Sequence, residues 1–409
     1  MTVKTPDVKQ TEDGRSTNGV AVRDSLLAKI DSRVDERFDG ETTRSSMAIL
    51  LSAFAVVMAA VAAITIVFVA GDADSGGGVT QTTPSVSAPG TTGAAPAADI
   101  SAAAGKGVDF EAYRRPDPTL PAPPSEGVKR FKVDVYEHVT KVSKDLAPTR
   151  VWSYGVNGKL YRGTGVSAPM VVTQGDRVEI TLVNGGSKAM DVKTPHSIDF
   201  HSSEVAPNVA FKTIAPGQEH TIKFTAKHPG VFMYHCATAP VLMHAGAGMM
   251  GMMVVKPRDL APVDRELWMT QQEFFLGQPG KDADMAKMEA KEPDVIAFNG
   301  YANQYRDKPI AVKRGERIRM YVLNAGPSEW SAFHVIGTVF DRTVVEGTVG
   351  RDSQTVNLAP SQGGWVEFTL DQEGTYPFVT HAFGDMVKGA AGALATEGAP
   401  KAGSKEPAR

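Results

Sequence analysis

Among 409 residues there is a single cysteine, Cys236. That excludes an intramolecular disulfide framework, a zinc ribbon, an iron–sulfur cluster on one chain and a C-x-x-C-H haem attachment. Excess charge is also missing: 43 Lys and Arg against 46 Asp and Glu leave a net charge of −3, so the basic footprint of a nucleic-acid binder is absent. Charged residues disappear entirely from Met47 to Ala70, a run of 24 residues reading MAILLSAFAVVMAAVAAITIVFVA. At 1.5 Å per residue this run is long enough to cross a hydrocarbon core of roughly 30 Å. It reads as one transmembrane helix, with a cleaved signal peptide as the alternative; against the latter, the run is long for an h-region and starts late. Lys and Arg are absent from Gly71 to Gly105, whereas the preceding tail carries eight. The positive-inside rule therefore predicts a single-pass protein of the cell membrane with a cytoplasmic N-terminus and extracytoplasmic bulk.

What remains divides by composition. Residues 1–46 read as a disordered cytoplasmic tail with a short helix near Asp24–Arg37, and 47–70 as the transmembrane helix. Residues 71–128, rich in Gly, Ala, Ser, Thr and Pro and ending in RRPDPTLPAPPSEG, read as a linker unable to bury enough apolar surface to offset chain entropy. Residues 396–409 read as a frayed tail. Between them, β-branched and aromatic runs such as RFKVDVYEHV, DRVEITLVN, GVFMYHC, RIRMYVLN and TYPFVTH alternate with Gly, Pro and Asn turns, which predicts an all-β sandwich fold. An internal repeat doubles it. VTQGDRVEITLVNGG from Val172 matches VKRGERIRMYVLNAG from Val312, and APGQEHTIKFTAKHPGVF from Ala215 matches APSQGGWVEFTLDQEGTY from Ala359. The expectation is two tandem β domains, 129–260 and 261–395, with a boundary near Pro257–Asp264.

Six of the nine histidines fall in short stretches of these repeats: PHSIDFH (His196, His201), YHC (His235), PVLMHAGAGMMG (His244), FHVIG (His334) and VTHAF (His381). Any one alone reads as a core or surface histidine. Together, His196, Cys236, His244 and Met249 supply two imidazoles, a thiolate and a weak axial thioether, the ligand set of a blue-copper electron-transfer centre. His235 and Cys236 are adjacent in an expected strand, so their side chains face opposite sides; His201 and His235 then form half of a second, all-imidazole site. The second repeat has no cysteine but keeps His381, a candidate third ligand for a site with an open position. Asp199 and His334 are candidate proton donors there, with a strand-end hydrogen bond and a core histidine as the plain alternatives. The dense methionines Met243, Met250, Met252 and Met253 read as flexible core filler rather than a separate copper site.

These motifs, TPHSIDFH, GVFMYHCATAPVLMHAGAGMMG, SAFHVIGTVFD and VTHAF, resemble the copper-containing nitrite reductases across nearly all of residues 129–395. The resemblance implies two cupredoxin-type Greek-key sandwiches in a homotrimer of the multicopper oxidase-like class. It implies type 1 copper on His196, Cys236, His244 and Met249. Type 2 copper would sit on His201, His235 and the His381 of a neighbouring subunit, one of each metal per subunit. It further implies denitrification chemistry: a small cupredoxin or cytochrome c reduces the type 1 site, the electron crosses the His235–Cys236 link, and nitrite becomes nitric oxide at the type 2 site. Asp199 and His334 would flank the substrate and supply protons, giving a rate that falls as they lose them. The chain departs from the family at SSEVAPNVAFK after His201 and at Gly246–Ala247, where bulkier residues are expected.

Two other functions compete. A laccase-like oxidase acting on another small substrate needs paired H-x-H motifs, and none occurs. A non-catalytic copper-binding electron relay needs only the type 1 ligands and would tolerate loss of Asp199, His334 or His381, all of which are present.

Overall fold

The structure is a computed structural model that describes residues 115–125, 127–161, 166–167, 169–185 and 192–399. The expected tail helix, the apolar run at 47–70, most of the linker and the residues from 400 onward lie outside the described residues. Among the described residues, no helix is long and apolar enough to cross a membrane.

The fold is all-β and cupredoxin-like, built from two pairs of sheets. In the first pair, one sheet runs in the order Thr149–Val156, Val128–Thr140, Arg177–Val183, Glu219–Thr225, and the other Met170–Thr173, Met250–Lys256, Gly230–His235, Asp199–Phe200. Strand Arg177–Val183 alternates exposed or half-buried with buried positions, so Val178, Ile180 and Leu182 enter a core with Phe131, Val133, Tyr154, Tyr234 and Met253. Each such side chain contributes about 1.5–3 kcal/mol by leaving water. The second pair holds six and five strands around Phe298, Phe333, Phe340, Phe368 and Phe378. A third cluster joins Val231, Met250, Met252 and Val254 from the first pair to Trp268, Tyr321, Leu323 and Trp365 from the second. Met250 and Met252 therefore serve as packing between the two sandwiches.

The sequence repeat is a structural repeat. Val128–Thr140 runs parallel to Arg177–Val183, and Arg265–Phe274 runs parallel to Arg317–Asn324. Gly175 and Gly315 take φ of 90° and 75° in the turns before the repeated strands, a region that favours glycine. Asn184 donates to the carbonyls of Thr194 and Ile214, and Asn324 to those of Glu329 and Leu358. Likewise the Gln218 and Gln362 side chains accept from the backbone of Ala215 and Ala359, three residues earlier.

One expectation needs correction. The end of the 71–128 linker is no free tether, because residues 115–120 dock on the second sandwich. Leu120 is buried in the joining cluster, its N–H donates to Glu266 O, and Trp268 donates its backbone N–H to Pro118 O and its indole N–H to Asp117 O. Arg115 stacks over the Tyr305 ring at 4.6 Å. The proline-rich segment gains partners for its carbonyls and one buried leucine, which composition alone does not reveal.

Candidate metal centres

Strand Gly230–His235 ends where two clusters meet. Beyond it Cys236 is fully buried, while His235 is half-buried on the other side. Pro240 then starts the helix Val241–Gly246, which carries His244. Gly248, at φ 113°, turns the chain back so that Met249 bridges both ligand positions through its backbone: its N–H donates to His244 O and its carbonyl accepts from Cys236 N–H, each at 3.1 Å. Met249 is fully buried in the same core.

In the first cluster His196 Nδ1 and His244 Nδ1 lie 3.1 Å apart, and Cys236 Sγ lies 4.0 Å from the former and 3.2 Å from the latter. Imidazole nitrogen and thiolate sulfur bind a metal at roughly 2.0–2.3 Å, so these separations suit one ion held by all three. Burial pushes the Cys236 thiol up, but hydrogen bonds from His196 and His244, the charge of His244 and the Ser197 N–H bring it down to about 4. The free, buried cysteine is thus held as the thiolate a soft metal needs. Trp152 packs edge-on against both imidazoles, at 5.4 and 4.9 Å.

Sequence reasoning missed Glu137. This buried carboxylate accepts from His196 Nε2 at 3.1 Å and from the backbone N–H groups of Lys193 and Thr194 at 3.2 and 3.0 Å, and it pairs with Arg150 at 3.2 Å. Burial raises its pKa, yet His196, the two backbone donors and Arg150 hold it at about 2. The bond fixes the proton on His196 Nε2 and turns Nδ1 toward Cys236 and His244, the orienting role carboxylates play behind metal-bound histidines. The only sequence signal was a glutamate inside a strand that should be apolar on that face. Ser197 was missed as well: its N–H donates to Cys236 Sγ at 3.4 Å.

The Gly246 departure also has an explanation. A Cβ there would meet Met288 Sδ at 2.6 Å. The short helix Met285–Ala290 of the second sandwich thus fills with a thioether the space that a bulkier residue would take. Nearby, Trp152 Nε1 donates to Asp282 at 3.2 Å.

The second cluster contains Asp199, His201 and His235. Strand pairing sets Asp199 opposite His235, and His235 Nε2 lies 3.1 Å from His201 Nε2. His235 Nδ1 donates to Cys236 O at 2.9 Å, leaving Nε2 as its acceptor. Partial desolvation, then the neighbouring His235, lowers the His201 pKa while Asp199 opposes them, favouring the neutral imidazole that ligates. His381 does not join this cluster within one chain. It lies with His334 in the second sandwich, ring centroids 5.2 Å apart, and His334 donates from Nδ1 to Gln354 O. His334 pairs with Val379 as Asp199 pairs with His235, so it occupies the place of Asp199 in the repeat rather than that of His196. The exposed side chains Trp330, Ile336, Val339, Phe383 and Val387 belong to the same half of the molecule, and Phe383 packs edge-on against His381 at 5.2 Å.

Two cupredoxin-like sandwiches, a buried His–Cys–His cluster and an adjoining histidine pair define a cupredoxin-fold protein with two candidate metal centres. The sequence model of the "Multicopper oxidase" family matches residues 140–260. A copper-containing nitrite reductase of Neisseria gonorrhoeae is 36% identical over 283 residues, covering 66% of this chain and 69% of the relative. Among solved structures, the copper nitrite reductase of Nitrosomonas europaea superposes with a TM-score of 0.59 at 28% identity, over 66% of this chain and 94% of that one. That of Thermus scotoductus gives 0.57 at 28% identity, over 68% and 63%. The chain belongs to the copper-containing nitrite reductase family.

Proposed function

We propose that this protein is an oxidoreductase that reduces nitrite to nitric oxide with copper. The observation that carries the reading is the adjacency of His235 and Cys236, consecutive residues that belong to two different ligand clusters. A covalent path of one peptide unit therefore joins an electron-entry site to a substrate site. His196, Cys236, His244 and Met249 would hold type 1 copper; His201, His235 and His381 would hold type 2 copper, one of each per subunit. Bound copper supplies the one-electron chemistry. The residues of the chain supply the rest. Reduction of one nitrite by one electron consumes two protons and yields nitric oxide and water. Asp199, beside His201 and His235, and His334, beside His381, are the groups placed to deliver them. Glu137 keeps His196 oriented, and Trp152 and Met288 exclude water from the buried cluster.

Because His381 lies with His334 and apart from His201 and His235, the type 2 site is read as closing between chains, which supports a homotrimer. The exposed Trp330, Phe383 and Val387 fit such an interface. A small cupredoxin or cytochrome c is the expected electron donor. The domains are read as tandem Greek-key sandwiches at 129–260 and 261–395. The run at 47–70 is read as a transmembrane helix holding them on the extracytoplasmic side of the cell membrane, with the N-terminus in the cytoplasm. The electron-relay alternative accounts for the first cluster and leaves Asp199, His201, His235, His334 and His381 without a role.

The test is anaerobic: load the protein with copper, count metal per subunit, record visible and EPR spectra, and follow nitric oxide from nitrite with an artificial donor. Two coppers and nitric oxide release are expected. One copper with a blue band and no turnover would establish the relay. His381→Ala is expected to leave the type 1 copper alone in each subunit.

A further inference from the structure

We infer that the Ser197 hydroxyl is a positioning group that donates a second hydrogen bond to the Cys236 sulfur and raises the reduction potential of the type 1 site. The inference rests on the reading of Cys236 as a copper ligand. Beyond the Ser197 N–H at 3.4 Å, Ser197 Oγ lies 3.7 Å from Sγ, within the longer reach of a bond to sulfur. A hydroxyl has one hydrogen and two lone pairs. Both lone pairs of Ser197 Oγ are taken, one by the Ala237 N–H and one by the Thr238 hydroxyl, each at 3.0 Å. Thr238 Oγ1 lies 3.0 Å from Thr213 Oγ1. Since the Thr238 hydrogen goes to Ser197, Thr213 is the donor in that pair. The ladder therefore runs one way, from Thr213 through Thr238 and Ser197 to the sulfur. Ser197 is fully buried, so water does not compete for its hydrogen.

The second sandwich shows what this hydroxyl is not for. Strand register places Ala332 where the first sandwich has Ser197, and Thr380 where it has Cys236. The Ala332 N–H donates to Thr380 Oγ1 at 3.0 Å, as the Ser197 N–H donates to Sγ. The fold makes this turn with a bare methyl group, so the hydroxyl at position 197 is not required for the backbone geometry. What it adds is positive potential at the sulfur. Hydrogen bonds to a metal-bound thiolate stabilise charge held on sulfur and weaken its donation to the oxidised metal, which favours the reduced form.

The experiment is a redox titration of the full-length, copper-loaded protein, followed at the thiolate-to-copper absorption band, with copper content measured in parallel. Ser197→Ala is expected to shift the one-electron equilibrium roughly tenfold toward the oxidised form, a fall of about 59 mV, and to move the absorption band at unchanged copper content. Ser197→Thr restores the hydroxyl and is expected to restore potential and band. Thr238→Val removes one donor that fixes the Ser197 rotor without touching Ser197 or a ligand, and is expected to produce a smaller shift of the same sign. A copper-replete Ser197→Ala protein with unchanged potential and band would overturn the inference. If Ser197→Ala loses copper, an unchanged potential in Thr238→Val overturns it instead. Absence of the absorption band from the copper-loaded parent protein would refute the assignment of Cys236, and the inference with it.

Discussion

The two sandwiches place a glutamate at the same point of the fold and treat it in opposite ways. Parallel pairing sets Val133 beside Leu182 and Met269 beside Val322, so Glu137 and Glu273 are repeat equivalents four residues further on. Glu137 accepts from the N–H groups of Lys193 and Thr194, and Glu273 from those of Ser328 and Glu329. The glutamate is thus first a clamp on a backbone turn. In the first sandwich its remaining capacity goes to His196 and Arg150, and its pKa falls to about 2. In the second, Ser331 stands where His196 would be, and Asp294 where Arg150 would be, by strand register. Glu273 Oε2 has no hydrogen-bond partner among the described residues. Burial, joined by the charges of Glu329 and Asp385, pushes Glu273 up to about 7 despite the two backbone donors. The same contrast holds at the metal position: Thr380 takes from the Ala332 N–H the bond that Cys236 Sγ takes from Ser197. Ile296 replaces Trp152 opposite the glutamate. The candidate centre of the first sandwich adds the histidine, the thiolate and the cation beside the glutamate; in the second sandwich the turn and its clamp stand without them.

The largest test of this contrast substitutes equivalent positions. Cys236→Ser is expected to abolish the blue absorption and cut donor-driven turnover by more than about a hundredfold. Thr380→Val is expected to leave copper content unchanged and lower stability by about 1–3 kcal/mol, as two backbone N–H groups lose their acceptor. Equal copper loss in both variants would break the comparison. Next, Asp199→Asn should reduce turnover by about 10²–10⁴-fold with both coppers retained, and undiminished turnover at full copper would remove Asp199 from proton delivery.

A smaller effect of opposite sign is expected at the two glutamates. Glu137 is held below its ordinary 4.5, so its contribution is fully present above about pH 4.5 and is lost as pH falls toward 2. Glu273 is held above 4.5: the folded state binds the extra proton, and stability is lost as pH rises from about 4.5 through 7. Thermal melts against pH should show Glu137→Gln destabilised at neutral pH and Glu273→Gln stabilised at pH 8; shifts of the same sign would show that the carboxylates share one environment. The smallest effect is expected from Gly246→Ala. The new methyl meets the end of a flexible methionine, so a stability loss within about 1 kcal/mol is expected, with a small shift in the blue band as Met288 moves. Gly246→Ala combined with Met288→Ala should return the band toward its original position.

Much of this was legible in the chain. The period-2 runs and the doubled Gly–Asp/Glu–Arg motif announce two β sandwiches, because alternation and turn glycines act locally. The clusters of His196, Cys236 and His244 and of His201 and His235 were legible as candidate ligands because their chemistry is rare and their spacing is short. Glu137 was not: its significance comes from a residue 59 positions away, and a lone glutamate in a strand carries no mark of its partner. Met288 and the docked segment 115–120 were hidden for the same reason, since each acts across the joint between the sandwiches. His334 and His381 were visible as histidines, while their shared place in one chain, apart from His201 and His235, required the sheet register.

The sequence by itself determined the number of thiolates: one cysteine per chain permits one thiolate-ligated centre, wherever the chain folds. Tertiary structure decided what that thiolate is. Two imidazoles and a serine ladder converge on Cys236, and the Glu137 carboxylate orients one of those imidazoles; these contacts exist only after the sheets have closed around it.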